Sequence, residues 1–204
     1  QHIAQKFGVN SRILPMSDDP VQTIIESDIG HLSFQEYFVK HQSKPCIRNI
    51  SFNGSTEASI SPELKTVIKD NGFKAIIVCP SNPYLSIDPI LSIKEIKSFI
   101  ESSSIPVVAV SPIVGGKALR GPTAKIMHEM DIPVSVMGIA EHYHPLIDGL
   151  VIDHKDKIMS SKMQSMGIAV QVTNTVMNCD SDKIQLAQDV VEFSQMISVK
   201  KDSL

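Results

Sequence analysis

Two short runs of unbroken apolar residues, Ala75 to Cys79 (AIIVC) and Val107 to Val110 (VVAV), most constrain what this chain can fold into. A strand with one face in water alternates apolar and polar residues. A run with no polar member suits a strand covered on both faces, and such strands belong to parallel sheets clad by helices. Gly149 to Asp153 (GLVID) and Gly167 to Thr173 (GIAVQVT) are further strand candidates. Helix signals lie between them. Ser61-Pro62 opens a helix with Leu64, Val67 and Ile68 on one face, and Asn71-Gly72 stop it. Ser92 and Glu95 have capping-box spacing ahead of a stripe of Ile93, Ile96 and Ile100. Pro122 starts a helix reaching about Met130, and Ser135 to Leu146 is helical in pattern. Ser181 caps a last helix, with Ile184, Ala187, Val190 and Val191 expected to face inward. Strands alternating with helices predict an α/β fold, a mainly parallel sheet with helices on both faces.

The first fifty residues read differently. Arg12 to Met16 is a possible short strand, ended by the acidic turn Ser17-Asp18-Asp19-Pro20. Val21 to Ser27 and Gly30 to Leu32 read as paired strands around Asp28-Ile29-Gly30. Ser33 and Glu36 form a capping box, with Leu32 and Tyr37 placed as a hydrophobic staple. That helix reaches about His41, Pro45 breaks it, and Ile47 to Phe52 is a strand. Ile3, Ala4 and Phe7 have helical spacing and Gly8 suits a helix end, yet no N-cap precedes them. The expectation is a chain that begins inside a helix. It would be one α/β domain over residues 1–204, the C-terminal part of a larger protein whose first strand–loop–helix units are missing.

Composition narrows the function. A net charge of −3 over 204 residues argues against a general nucleic-acid binder, so an anion site must be a local patch. Aromatic residues make up 5 % and tryptophan is absent, which leaves no platform for stacking a run of bases. No apolar run is long enough to span a bilayer, so no membrane partner is expected. Cys46, Cys79 and Cys179 are isolated and odd in number, without metal-ligand spacing, and fit a reducing cytoplasm.

Ligands on parallel sheets bind in loops at the carboxyl ends of strands. Three loops have that position: Pro80 to Pro89, Ser111 to Gly121 and Asp153 to Ser160. The second carries Ser111, Gly115, Gly116, Lys117 and Arg120 between a buried strand and a helix start. Glycine lets backbone N–H groups close on phosphate, and a helix N-terminus adds positive potential. It is not a Walker loop, because Ala118 stands where a Mg²⁺-binding hydroxyl would follow the lysine, and it lacks the dinucleotide fingerprint. The same residues suit an ordinary strand–loop–helix connection, and pattern alone does not separate the two. Ser81 and Asn82, bracketed by Pro80 and Pro83, offer hydrogen bonds from a stiffened loop. Asp18, Asp19, Asp88 and Asp153 are carboxylate candidates for a metal or a substrate hydroxyl, with Asp18 and Asp19 the catalytic candidates. His142 and His144, one residue apart, point to different helix faces, which argues against a zinc site with Asp148.

Met16 to Thr23 (MSDDPVQT), Phe34 to Lys40 (FQEYFVK), Cys79 to Leu91 (CPSNPYLSIDPIL), Ser111 to Lys125 (SPIVGGKALRGPTAK) and Asp148 to Asp153 (DGLVID) resemble the 2-phospho-L-lactate transferase family of coenzyme F-420 biosynthesis. The resemblance runs from Arg12 to about Thr173. It implies a Rossmann-like fold and transfer of 2-phospho-L-lactate, or in some relatives a phosphoenolpyruvyl group, from a guanosine diphosphate-type donor to the deazaflavin alcohol Fo. Guanosine monophosphate leaves. It also implies Mg²⁺ and a homodimer. Carried onto this sequence, Ser81 and Asn82 would line the nucleotide–phosphate site, and Ser111, Gly115, Gly116, Lys117 and Arg120 the second phosphate-facing loop. The family's glycine-rich first loop and its acidic metal ligand have no counterpart here, so the metal ligand is expected upstream of Gln1. The rival reading is a non-catalytic relative that binds nucleotide-sugars. A nucleotide-binding oxidoreductase is disfavoured by the missing fingerprint.

Overall fold

The computed structural model describes residues 6–201 apart from residue 71. Ile3 and Ala4 of the expected opening helix lie outside the described residues. Strands β1 (Gln22–Ser27), β2 (Gly30–Ser33) and β3 (Ile47–Asn53) form an antiparallel sheet in the order β2-β1-β3. The β1–β2 hairpin and the β3 strand are where the sequence puts them, but the sequence does not reveal that β3 pairs with β1. Arg12 to Met16 forms no strand. Instead, the Ser61 N–H donates to the Met16 carbonyl and the Ser61 hydroxyl to the Pro15 carbonyl. The Ser33–Glu36 capping box is present, with Ser33 N–H on Glu36 Oε2 at 3.0 Å and Glu36 N–H on Ser33 Oγ at 3.3 Å. It leads into a π-helical turn, Glu36–Lys40.

After helix α1 (Pro62–Asp70) comes β4 (Ile76–Val78), then a π-helical turn Pro83–Ile87 running into the short helix α2 (Asp88–Leu91). Helix α3 (Lys94–Glu101) starts from Ile93, and the expected Ser92–Glu95 capping box does not form. The Ser92 hydroxyl donates to the Pro89 carbonyl, so the preceding helical turn has already taken it up. Strand β5 (Val107–Val110) is followed by a hairpin, β6 (Ile113–Val114) and β7 (Lys117–Ala118), and by helices α4 (Thr123–Glu129) and α5 (Val136–Tyr143). Strand β8 (Gly149–Asp153), a 3-10 turn, helix α6 (Ser160–Ser165), strand β9 (Ala169–Thr173) and helix α7 (Asp180–Lys201) complete the order. Strands β4, β5, β8 and β9 lie side by side in that order, every pair parallel.

Alternation within the strands sends side chains to two layers. Val107, Ala109, Leu150 and Ile152 pack into the larger core with Ile96 and Ile100 of α3 and Ile139 and Tyr143 of α5. Val108, Val110 and Val151 meet Leu186, Val190, Phe193 and Ile197 of α7 on the other face. Helices therefore cover both faces. Gly149 lets α7 lie flush on the sheet: a Cβ there would stand 2.7 Å from Ile197 Cδ1. The inward stripe of α7 coincides with the expected one only at Val190. Ala187 is exposed, and Ile184 and Val191 are 59 % and 50 % exposed. Asn178 and Cys179, the two residues ahead of the helix, donate their N–H groups to Asp182 Oδ2 in its first turn, and Ser181 lies inside the helix rather than capping it.

The small sheet is fastened to α4 by one polar cluster. Lys125 Nζ donates to the Pro45 carbonyl at 2.7 Å and pairs with Glu129 at 2.6 Å, and Glu129 Oε2 accepts from Ile47 N–H at 3.0 Å. Burial pushes the Glu129 carboxyl up, but Lys125 and the Ile47 N–H outweigh it and hold it below its ordinary range. No helix among the described residues is long and apolar enough to cross a membrane.

Candidate functional site

The loops that leave the carboxyl ends of β4, β5 and β9 border a cleft of about 800 Å³. Ser81 and Asn82 come from the first loop, Ser111 from the second, and Thr175 to Asn178 from the third. The chain returning from β7 adds Leu119 to Thr123. Phe34 and Phe38 reach in from the turn after β2, and Lys183 from α7.

Asn82 Oδ1 accepts the N–H groups of Tyr84 and Leu85 at 3.0 and 3.1 Å, which caps the π-helical turn. Those bonds fix the amide and leave its Nδ2 enclosed with no partner among the described residues. A buried donor without an acceptor costs about 1–3 kcal/mol, a cost that a ligand oxygen there would remove. Ser111 is 2 % exposed and its hydroxyl is used locally, donating to the Ile113 carbonyl and accepting from the Ile113 N–H. It shapes the turn out of β5. Arg120 is exposed and makes no ion pair among the described residues. Lys183 pairs with Asp180 at 2.8 Å, which holds its ammonium above its usual range against the like charge of Arg120, and both cations line the cleft.

Asp153 organises the third loop. It ends β8 at 4 % exposure, with Oδ1 accepting from Lys155 N–H and Oδ2 from Thr175 N–H, both at 3.1 Å. The loop from Asp153 to Ser160 therefore does not line the cleft. Beyond Asp153 its one buried residue is Asp156, which accepts the Gly115 N–H at 2.8 Å.

Gly115, Gly116 and Lys117 are not among the cleft's lining residues. The glycines form the two-residue turn of the β6–β7 hairpin, with φ of 56° and 73°. Positive φ at both central residues is what a type I′ turn requires, so a backbone need accounts for the glycine pair. Lys117 is exposed on the returning strand. Asp18 and Asp19 lie in the turn before β1, also away from the cleft, where Asp19 Oδ2 accepts from Ser59 N–H at 2.9 Å.

His142 Nε2 lies 2.9 Å from Asp88 Oδ1. Asp148 Oδ2 accepts from Val107 N–H, and His144 is exposed at the end of α5. These residues border a second cavity of about 590 Å³. Among the described residues no three His, Cys, Asp or Glu side chains converge on a point where a metal could sit. Both Asp153 oxygens accept backbone N–H groups, which hold this carboxylate between the loops that follow β8 and β9.

A profile of the 2-phospho-L-lactate transferase family (CofD) matches residues 1–194. The chain belongs to this family. It is 35 % identical over 190 residues to the 2-phospho-L-lactate transferase of Methanosarcina mazei, covering 93 % of this chain and 61 % of that one. It is also 35 % identical over 191 residues to that of Methanocaldococcus jannaschii, covering 92 % and 59 %. The chain thus spans about 60 % of the length of the curated relatives it matches. A crystal structure of a member of the UPF0052 family from Bacillus halodurans superposes with a TM-score of 0.60 at 15 % identity, covering 91 % of this chain and 64 % of that one. That likeness concerns the fold.

Within this CofD-family cleft, sequence reasoning missed Phe34, Phe38, Lys183 and the Thr175 to Asn178 loop. The last had a usable signal. It follows a strand candidate, Gly167 to Thr173, and the strand-end rule that selected Ser81 and Ser111 applies to it equally. The aromatic pair and Lys183 carry no motif and reach the cleft only through tertiary packing.

Proposed function

We propose that the cleft is the nucleotide–phosphate part of a 2-phospho-L-lactate transferase site. The supporting observation is the convergence of Ser81, Asn82, Arg120 and Lys183 at the carboxyl ends of a parallel sheet in a chain of this family. The donor is a lactyl-phospho-guanosine, or its enolpyruvyl counterpart, and the acceptor is the deazaflavin alcohol Fo. A ribityl oxygen of Fo forms a bond to the phosphorus bearing the lactyl group. The bond from that phosphorus to the bridging oxygen breaks, GMP leaves with the electron pair, and the hydroxyl proton passes to solvent. Such a displacement asks for positioning and charge neutralisation rather than a protein nucleophile. Arg120 and Lys183 neutralise phosphate charge, the Asn82 amide supplies a fixed donor, and the Asp153-held loop shapes the wall. Mg²⁺ belongs to the same reading and would supply further charge neutralisation at the phosphates; among the described residues no three His, Cys, Asp or Glu side chains converge to hold it. A homodimer and a cytoplasmic setting belong to the same reading, the latter supported by three free, exposed cysteines.

Calorimetric titration of the chain with GDP tests this reading. Arg120→Ala should weaken binding by about 1.5–3 kcal/mol, the range for a charge-assisted hydrogen bond, and Lys117→Ala should leave it unchanged. Unaltered affinity in Arg120→Ala, or binding of a uridine nucleotide-sugar in place of GDP with no response to Fo, would contradict it.

A further inference from the structure

The cleft has a polar floor and an apolar rim. Phe38 is 43 % exposed, Leu119 50 % and Met177 37 %, and all three line it. Phe38 rests on Phe34, ring centroids 5.4 Å apart and planes within 15°. Tyr37, the residue before Phe38 in the turn, is fully buried, and Lys125 lies 5.8 Å over its ring while bound to the Pro45 carbonyl and Glu129. The ring pair is therefore a braced platform on a turn pinned from below, not a loose surface side chain. The turn is π-helical, a geometry that recurs at functional sites.

A rim of this kind beside two cations fits a ligand that joins a flat, extended ring system to a charged or polyhydroxylated chain. We infer that Phe38, backed by Phe34, is the stacking platform for the fused three-ring system of the acceptor. The inference rests on the transfer reading above. The acceptor ring is favoured over the donor's guanine because guanine is specified through hydrogen bonds along its edge, and the side chains that share the exposed apolar rim with Phe38, those of Leu119 and Met177, offer no strong donor or acceptor.

The chain has no tryptophan, so Phe38→Trp places a single fluorescent reporter on the platform. Fo should quench its emission saturably and GDP should not. In calorimetry Phe38→Ala should weaken Fo binding about tenfold, the scale of one ring-stacking contact, with Phe38→Tyr restoring it and GDP affinity unmoved throughout. Fo affinity unchanged in Phe38→Ala overturns the inference, and a GDP affinity still lost in Arg120→Ala then leaves the transfer reading standing. Quenching by GDP rather than Fo assigns the platform to guanine and also overturns it. A wild-type chain that binds neither ligand overturns the transfer reading and the inference together.

Discussion

Replacing Asp153 with asparagine should both destabilise the protein and loosen the cleft. The carboxylate is 4 % exposed, and each oxygen accepts one backbone N–H, from Lys155 and from Thr175. Thr175 Oγ1 lies a further 3.5 Å from Oδ2. Asparagine keeps the shape but turns one acceptor into a donor. Whichever way the amide faces, one N–H is left pointing at another donor. A hydrogen bond to a charged group contributes about 1.5–3 kcal/mol, and removing a buried charge returns part of that. A net loss of about 2 kcal/mol corresponds to a melting temperature about 4–8 °C lower for a chain of this size. Thr175 begins the third loop of the cleft, so GDP affinity should fall as well. Circular-dichroism melts and calorimetric titration read the two effects. A melting temperature within about 1 °C of wild type would refute the reasoning, since that is well under the shift expected for 1 kcal/mol.

Gly116→Val should cost about 1–2 kcal/mol of stability, because a β-branched residue is forced to positive φ, while GDP affinity of the folded protein stays unchanged. Lost affinity with an unaltered melt would instead put the hairpin at the ligand. The chain's three tyrosines, Tyr37, Tyr84 and Tyr143, all have phenols pushed up by burial, Tyr84 to about 12. The fold prefers the protonated form, so this stability is complete below pH about 10 and is lost as pH rises through the folded values. Tyrosinate absorbance should therefore appear only above pH about 10 and together with unfolding; ionisation near 10 in an intact fold would contradict it.

The parallel sheet was legible because AIIVC and VVAV carry no polar residue to turn outward. The membership of β3 was not, since pairing with β1 depends on a long-range register that local pattern does not encode. Helix α7 is apolar on more than one side. Gly149 settles which side is buried by admitting Ile197 and Phe193, and nothing within the helix itself announces that. The Gly115-Gly116 pair is a hairpin signal as well as a phosphate-loop signal, and the structure uses it as the former. Ser81, Asn82, Ser111 and Arg120 meet at one cleft because strand ends and helix starts are readable locally. Phe34, Phe38 and Lys183 arrive there from distant parts of the chain through packing alone.

A crystal structure of the chain soaked with GDP tests the central claim most directly. The diphosphate is expected in the cleft, within hydrogen-bonding distance of Asn82 or Ser81 and facing Arg120. Diphosphate held at the Gly115–Lys117 hairpin, or in the cavity beside His142 and Asp88, would contradict it.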